Sequence, residues 1–120
     1  SHAGGLRYHG MAPLVSQLVN LGEINPTAYS QTDCFDAGIT FARAEGIVPA
    51  PEANHAVKGA IVEALRCKEE GTSRAILFNL CGHGYFDMQA YTDYNSGKLE
   101  DYAYDESEVA MALAGLPSIS

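Results

Sequence analysis

The chain has 120 residues, 47% hydrophobic and 18% charged, with a formal net charge of −8. That length holds one domain, and the apolar share marks a globular chain rather than a disordered one. The acidic balance excludes a nucleic-acid surface, which needs clustered Lys and Arg, and no apolar run approaches the roughly 18 residues of a membrane span.

Ala3 to Gly10 carries three glycines and cannot stay in regular structure for long. It reads equally as a ligand-facing loop or as a frayed end, and it has no apolar core of the signal-peptide kind. Pro13 suits a first helical turn, with Leu14, Leu18, Val19 and Leu21 at helical spacing and Gly22 as the stop. Thr32 or Asp33 caps a second helix carrying Phe35, Ile39 and Ala42, ended by Gly46. Ile47 to Pro51 must be extended, because each proline disfavours helical geometry in the residue before it. A third helix opens at Glu52 or Asn54, buries Val57, Ile61, Ala64 and Leu65, and closes at Gly71. Glu63, Arg66, Lys68, Glu69 and Glu70 form its solvated side.

Ala75, Ile76, Leu77, Phe78 and Leu80 form a nearly unbroken apolar run, which predicts a strand buried on both faces. It breaks into Cys81-Gly82-His83-Gly84, at the end of the strand where ligands of open α/β sheets bind. A helix follows over 87–94, then an acidic, tyrosine-bearing connection, and Asp105 with Glu108 opens a last helix through Leu113 in capping-box fashion. The pattern predicts an α/β chain with about five helices and one to three strands. A doubly covered strand needs paired neighbours, so the sheet is expected to be incomplete without further chain or a partner.

Cys34, Cys67 and Cys81 are an odd number without a C-x-x-C pair, which suits a reducing cytoplasm, and no set of side chains has metal-ligand spacing. Cys81 and His83 as a thiol–base pair are a weak idea, since residues two apart across a glycine rarely reach that geometry.

The blocks Gly5 to Pro13, Glu45 to Ala56 and Asn79 to Gly84, in that order, resemble the tryptophan synthase beta-subunit family. The HGYFD loop and the Leu99 to Leu116 extension with Asp101, Tyr102 and Tyr104 are more similar to the family's second, divergent branch. The resemblance implies pyridoxal phosphate as cofactor and a parent reaction joining L-serine or O-phosphoserine to indole. It implies the carboxyl-terminal part of a three-layer α/β/α domain over residues 1–120, with 98–120 as an extension.

By the same resemblance Glu52 matches a glutamate beside the cofactor ring that assists proton handling. Cys81 matches a serine that contacts the pyridine nitrogen, and a thiol is the weaker donor there. Gly82, His83 and Gly84 match the loop that follows, with Gly82 beside the cofactor and His83 in a loop role. Arg7 stands at a substrate-contacting position, and Leu6, Tyr8 and Gly10 match backbone carbonyls that hold a monovalent cation, sodium or potassium.

The family's Schiff-base lysine and Gly-Gly-Gly-Ser-Asn phosphate loop have no counterpart: Lys58, Lys68 and Lys98 lie in other contexts. The expectation is a carboxyl-terminal third of such an enzyme, inactive alone. Its expected partners are the remainder of the subunit, further copies in a homo-oligomer, and a tryptophan synthase alpha subunit, with no nucleic acid or membrane. The alternative is a non-catalytic, free-standing oligomeric or binding protein derived from that family, its apolar run paired across a subunit interface.

Overall fold

The computed structural model describes residues 2–8, 10–102 and 105–115. Helix punctuation is local, and here it is followed closely. Helix α1 is Pro13–Asn20, α2 Gln31–Glu45, α3 Pro51–Glu70, α4 Met88–Asn95 and α5 Glu106–Ala114. Pro13 and Pro51 sit in first turns, where a missing N–H costs nothing. Gly46 and Gly71 close α2 and α3 at φ 71° and 66°, the left-handed geometry that a side chain resists.

Two caps differ in detail from the expectation. Ser30, not Thr32 or Asp33, caps α2, its Oγ accepting from the Asp33 N–H at 3.2 Å. Asp105 caps α5 by accepting from the N–H and hydroxyl of Ser107, so Glu108 is not needed as the reciprocal partner. Tyr104 and Leu116 of the expected extension lie outside the described residues.

The neighbours α2 and α3 carry the fold, and α4 closes over the first half of α2. Phe35 is 2% exposed and packs edge-on to Tyr91 at 5.0 Å and stacked with Tyr94 at 5.8 Å. Ala90, Ile39, Val48 and Leu99 complete that core. Mid-helix Gly38 lets the two helices approach, since a Cβ there would lie 2.1 Å from the Asn54 amide oxygen.

Helices α1 and α5 bury no residue and contact no other helix among the described residues. Leu14, Leu21 and Leu113 of the expected apolar stripes are exposed. The far end of α3 behaves likewise: Ile61 and Ala64 line an apolar groove of about 320 Å³ with Phe41, Ile76 and Phe78, while Leu65 is exposed. The radius of gyration is 16.6 Å, against about 14 Å for a compact chain of this length. These open apolar faces are what a chain shows when part of its packing partner lies elsewhere.

The doubly buried strand is a correction. Residues 72–82 form no strand, and the described residues contain only one isolated bridge, antiparallel, between Pro49 and His83. Ile76 and Phe78 turn toward the α2–α3 groove, Phe78 meeting Phe41 edge-on at 5.8 Å, whereas Leu77 is 96% exposed. One face is partly covered and the other is open, so the run is extended but not sandwiched. What the structure establishes is a mostly helical arrangement of five helices among the described residues.

The 98–102 connection is tied to the start of α2. The Asp101 carboxylate accepts from the Thr32 hydroxyl at 2.5 Å and the Thr32 N–H at 3.0 Å. Those bonds, the hydroxyl first, hold its carboxyl below the usual carboxylate range. A lowered folded pKa gives stability that is complete above the unfolded value of about 4 and is lost as pH falls through the lower folded value. Acid below about pH 4 is therefore expected to free this connection before α2 and α3 unfold. Amide exchange at Thr32 measured against pH checks this, and Thr32→Val, which removes the hydroxyl bond and keeps the backbone one, should shrink the pH step.

Candidate functional site

The site begins with three turns that meet at the amino end of α3. Pro49 and Pro51 fix the backbone leading into the helix, and both are fully buried. The Cys81–Gly84 loop lies along it: the Ala50 N–H donates to the Gly82 carbonyl at 2.9 Å and the Gly84 N–H to the Val48 carbonyl at 2.7 Å. Gly84 has to be glycine, because a Cβ would come within 2.5 Å of the Pro49 carbonyl oxygen. Two backbone bonds therefore hold the loop carrying Cys81 two residues from Glu52.

Glu52 is half-buried in the first turn of α3, the helix end where a negative charge is favoured. Its Oε1 accepts from the Gly5 N–H at 2.8 Å. Gly5 belongs to a 3-10 turn, Gly4–Leu6, whose flank Ala3 is buried, while the His2 N–H donates to Gln31 Oε1 at 2.8 Å. The glycine-rich segment is thus docked across α2 and α3, not frayed. It brings the Arg7, Leu6, Tyr8 and Gly10 stretch to the side of Glu52, with all four residues exposed.

Cys81 is exposed, and Gly82 is half-buried against Ala50. His83 Nδ1 accepts from the Tyr85 N–H at 3.2 Å, and the ring lies 4.4 Å from that of Tyr85. With Nδ1 so engaged, His83 serves the loop and makes no bond to Cys81, which argues against a thiol–base pair. The other thiols are buried; burial, followed by the nearby Asp33 charge, pushes Cys34 up to about 11. Iodoacetamide at neutral pH is expected to label Cys81 alone in the folded chain, read by peptide mass, because thiolate reactivity needs access.

Sequence reasoning missed the group that fastens this site. The Tyr91 hydroxyl, from α4, donates to the Pro49 carbonyl at 2.5 Å. Its one proton being used there, it accepts from Asn54 Nδ2 at 3.0 Å. Asn54 has no exposed surface. The signal was a polar residue on the inward side of a helix, where it needs a partner.

Glu52 and Cys81 offer a pyridoxal group a carboxylate and a thiol, a weak donor, on adjacent turns. Lys58 is paired with Asp33 at 3.6 Å on the α2–α3 side, and Lys68 lies in the last turn of α3. Glu52 and Cys81 therefore fit one edge of such a group, and neither Lys58 nor Lys68 lies on the two turns that carry them. No cluster of His, Cys, Asp or Glu able to hold a metal occurs among the described residues, and no helix is long and apolar enough to cross a membrane.

No family model matches the chain. Individual relatives do. The chain is 65% identical over 100 residues to tryptophan synthase beta chain 2 of Aquifex aeolicus, which covers 83% of this chain and 23% of that protein. It is 59% identical over 104 residues to the tryptophan synthase beta chain of Thermococcus gammatolerans, 87% of this chain and 24% of that one. With the beta chain of Pyrococcus horikoshii it shares 55% over 111 residues, 92% and 24% of the two chains. The chain spans just under a quarter of the length of these relatives, less than the third expected from its motifs. At such identity over most of its residues, the chain belongs to the tryptophan synthase beta-chain family.

Proposed function

We propose that these residues are the carboxyl-terminal part of a pyridoxal-phosphate-dependent tryptophan synthase of the beta-like branch, a lyase of amino-acid biosynthesis. The whole enzyme would join L-serine or O-phosphoserine to indole by β-replacement. The observation that carries this reading is the Ala50–Gly82 pairing, which sets Glu52 and Cys81 on neighbouring turns in a chain 65% identical to such a beta chain.

Pyridoxal phosphate, when bound, supplies the electron sink for loss of the donor's β-substituent. Glu52 holds and returns a proton beside the ring, its carboxylate aimed by the Gly5 N–H. Cys81 offers a weak S–H donor toward the ring nitrogen, which leaves that nitrogen less protonated than an acidic partner would. Gly82 keeps the loop close to the α3 end, and Arg7 meets the donor amino acid. The carbonyls of Leu6, Tyr8 and Gly10 take a monovalent cation, a hard ion that asks only for oxygen. The remainder of the subunit supplies the lysine, the phosphate loop and the strands that pair the 73–81 segment, completing an α/β sheet. A homo-oligomer with an alpha subunit is the working assembly, in the cytoplasm.

The test is a chimera in which this chain replaces the matching 100 residues of the Aquifex aeolicus protein. It is expected to form tryptophan from serine and indole, while the 120-residue chain with pyridoxal phosphate forms none and shows no imine band fixed by borohydride. A folded but inactive chimera sinks the assignment; turnover by the chain alone sinks the division of labour.

The exposed Leu77 on an extended run without backbone partners among the described residues favours one second reading, a non-catalytic oligomer paired through that edge. Sedimentation separates the two, since this reading requires a defined dimer or higher oligomer of the chain by itself.

A further inference from the structure

We propose that Tyr91 and Asn54 are positioning residues, a buried hydroxyl–amide pair that sets the Cys81–Gly84 loop against the α3 end bearing Glu52. The inference rests on the functional reading above for its consequence, but not for its geometry. Three elements meet at one carbonyl. Pro49 has its oxygen bonded by the Tyr91 hydroxyl at 2.5 Å, and that hydroxyl is in turn held by Asn54 at 3.0 Å. Tyr91 is 5% exposed and Asn54 fully buried, so the pair is removed from bulk solvent.

The residues on each side of Pro49 carry the two bonds to the loop: Val48 accepts from Gly84 and Ala50 donates to Gly82. The tyrosine thus holds the middle of a three-residue segment whose two neighbours hold the loop. Asn54 lies on α3 two residues beyond Glu52, which fixes the rotation of the helix that aims the carboxylate. Phe35 packs edge-on against the Tyr91 ring at 5.0 Å and holds it in place. Burial also raises the Tyr91 pKa, so the hydroxyl remains a donor across the ordinary pH range.

The pair touches neither substrate nor cofactor positions, so its effect on the reaction is through placement. Phenylalanine at 91 keeps the ring and its packing while leaving the Pro49 oxygen and the Asn54 amide unpaired. Tyr91→Phe in the whole chain is expected to speed exchange of the Ala50 and Gly84 amides by about tenfold or more, from the free energy of one buried hydrogen bond. Amides in the middle of α2 and α3 should hold their protection to within about twofold, as independent local opening requires. Asn54→Ser, which keeps a small donor, should loosen the same two amides less.

In the Aquifex chimera, Tyr91→Phe should lower kcat about tenfold, with the KM for serine changed less than about twofold, the sign of misplaced chemistry with binding intact. Uniform acceleration of exchange across all helices, or none at all, overturns the proposal, and so does an unchanged kcat. If the unsubstituted chimera is inactive, the functional reading fails instead, and the exchange pattern alone decides the positioning.

Discussion

Gly38→Ala is expected to destabilise the chain by about 2–4 kcal/mol, combining overpacking with a disturbed buried hydrogen bond. The expectation runs against helix propensity, which favours alanine over glycine mid-helix by about 1 kcal/mol. The added methyl would sit 2.1 Å from the Asn54 amide oxygen and 2.5 Å from its carbonyl carbon. Asn54 cannot swing away, because its amide is committed to Tyr91 and no solvent space adjoins it. Either α2 and α3 separate, exposing Phe35 and Val57, or Asn54 gives up its bond. Urea unfolding followed by far-UV circular dichroism reads the loss. Equal or greater stability in Gly38→Ala would mean that the helices do not approach through this glycine.

Why this contact escaped the sequence, while helix ends did not, is a matter of range. The proline starts of α1 and α3 and the glycine stops of α2 and α3 act within a turn, and Gly46 and Gly71 fall where the apolar periodicity expires. The α1 stripe shows the limit of the same reasoning: Leu14 and Leu18 have helical spacing and the helix forms, yet it has nothing to pack on. Spacing predicts an element and cannot say what covers it. The run 75–80 fails for the same cause, because apolar residues on both faces ask for two coverings and the chain provides part of one. Its identity as strand depends on partners distant in sequence.

The site was legible in a different way. Glu52, Cys81 and Gly82 came from motif resemblance, and the Ala50–Gly82 bond places them on adjoining turns. The docking of Gly5 on Glu52 had no sequence signal, since a backbone N–H carries no letter. Asn54 and Tyr91 stand 37 residues apart and meet only when α4 folds over α2. An asparagine alone reads as a surface residue, and a tyrosine in a polar helix reads as amphipathic. Their pairing becomes visible only once both are seen to be buried.

The loop itself offers the sharper functional test. Gly84→Ala should cost about 2–3 kcal/mol, as overpacking against rigid atoms does, and should reduce turnover of the Aquifex chimera by more than about tenfold for a displaced site. The Cβ would lie 2.5 Å from the Pro49 carbonyl oxygen, 2.8 Å from Val48 Cγ1 and 3.0 Å from Tyr91 Cε2. The first of these is backbone in a proline-bounded segment that cannot yield, so the loop must. Its departure breaks the Gly84–Val48 and Gly82–Ala50 bonds together and carries Cys81 away from Glu52. Gly82→Ala is the matched control, because its Cβ meets only the Ala50 methyl at 3.3 Å, which a few tenths of an ångström relieves. That variant should stay within about 1 kcal/mol of the parent in urea unfolding, the range of a mild packing change. Should the two glycine variants lose stability equally, or should Gly84→Ala keep full turnover, the placement of Cys81 by Glu52 would not depend on the Gly84 contact, and the clamp at Pro49 would have no bearing on the chemistry. The ordering of the pair, more than either value, ties the fold of this short loop to the reaction proposed for it.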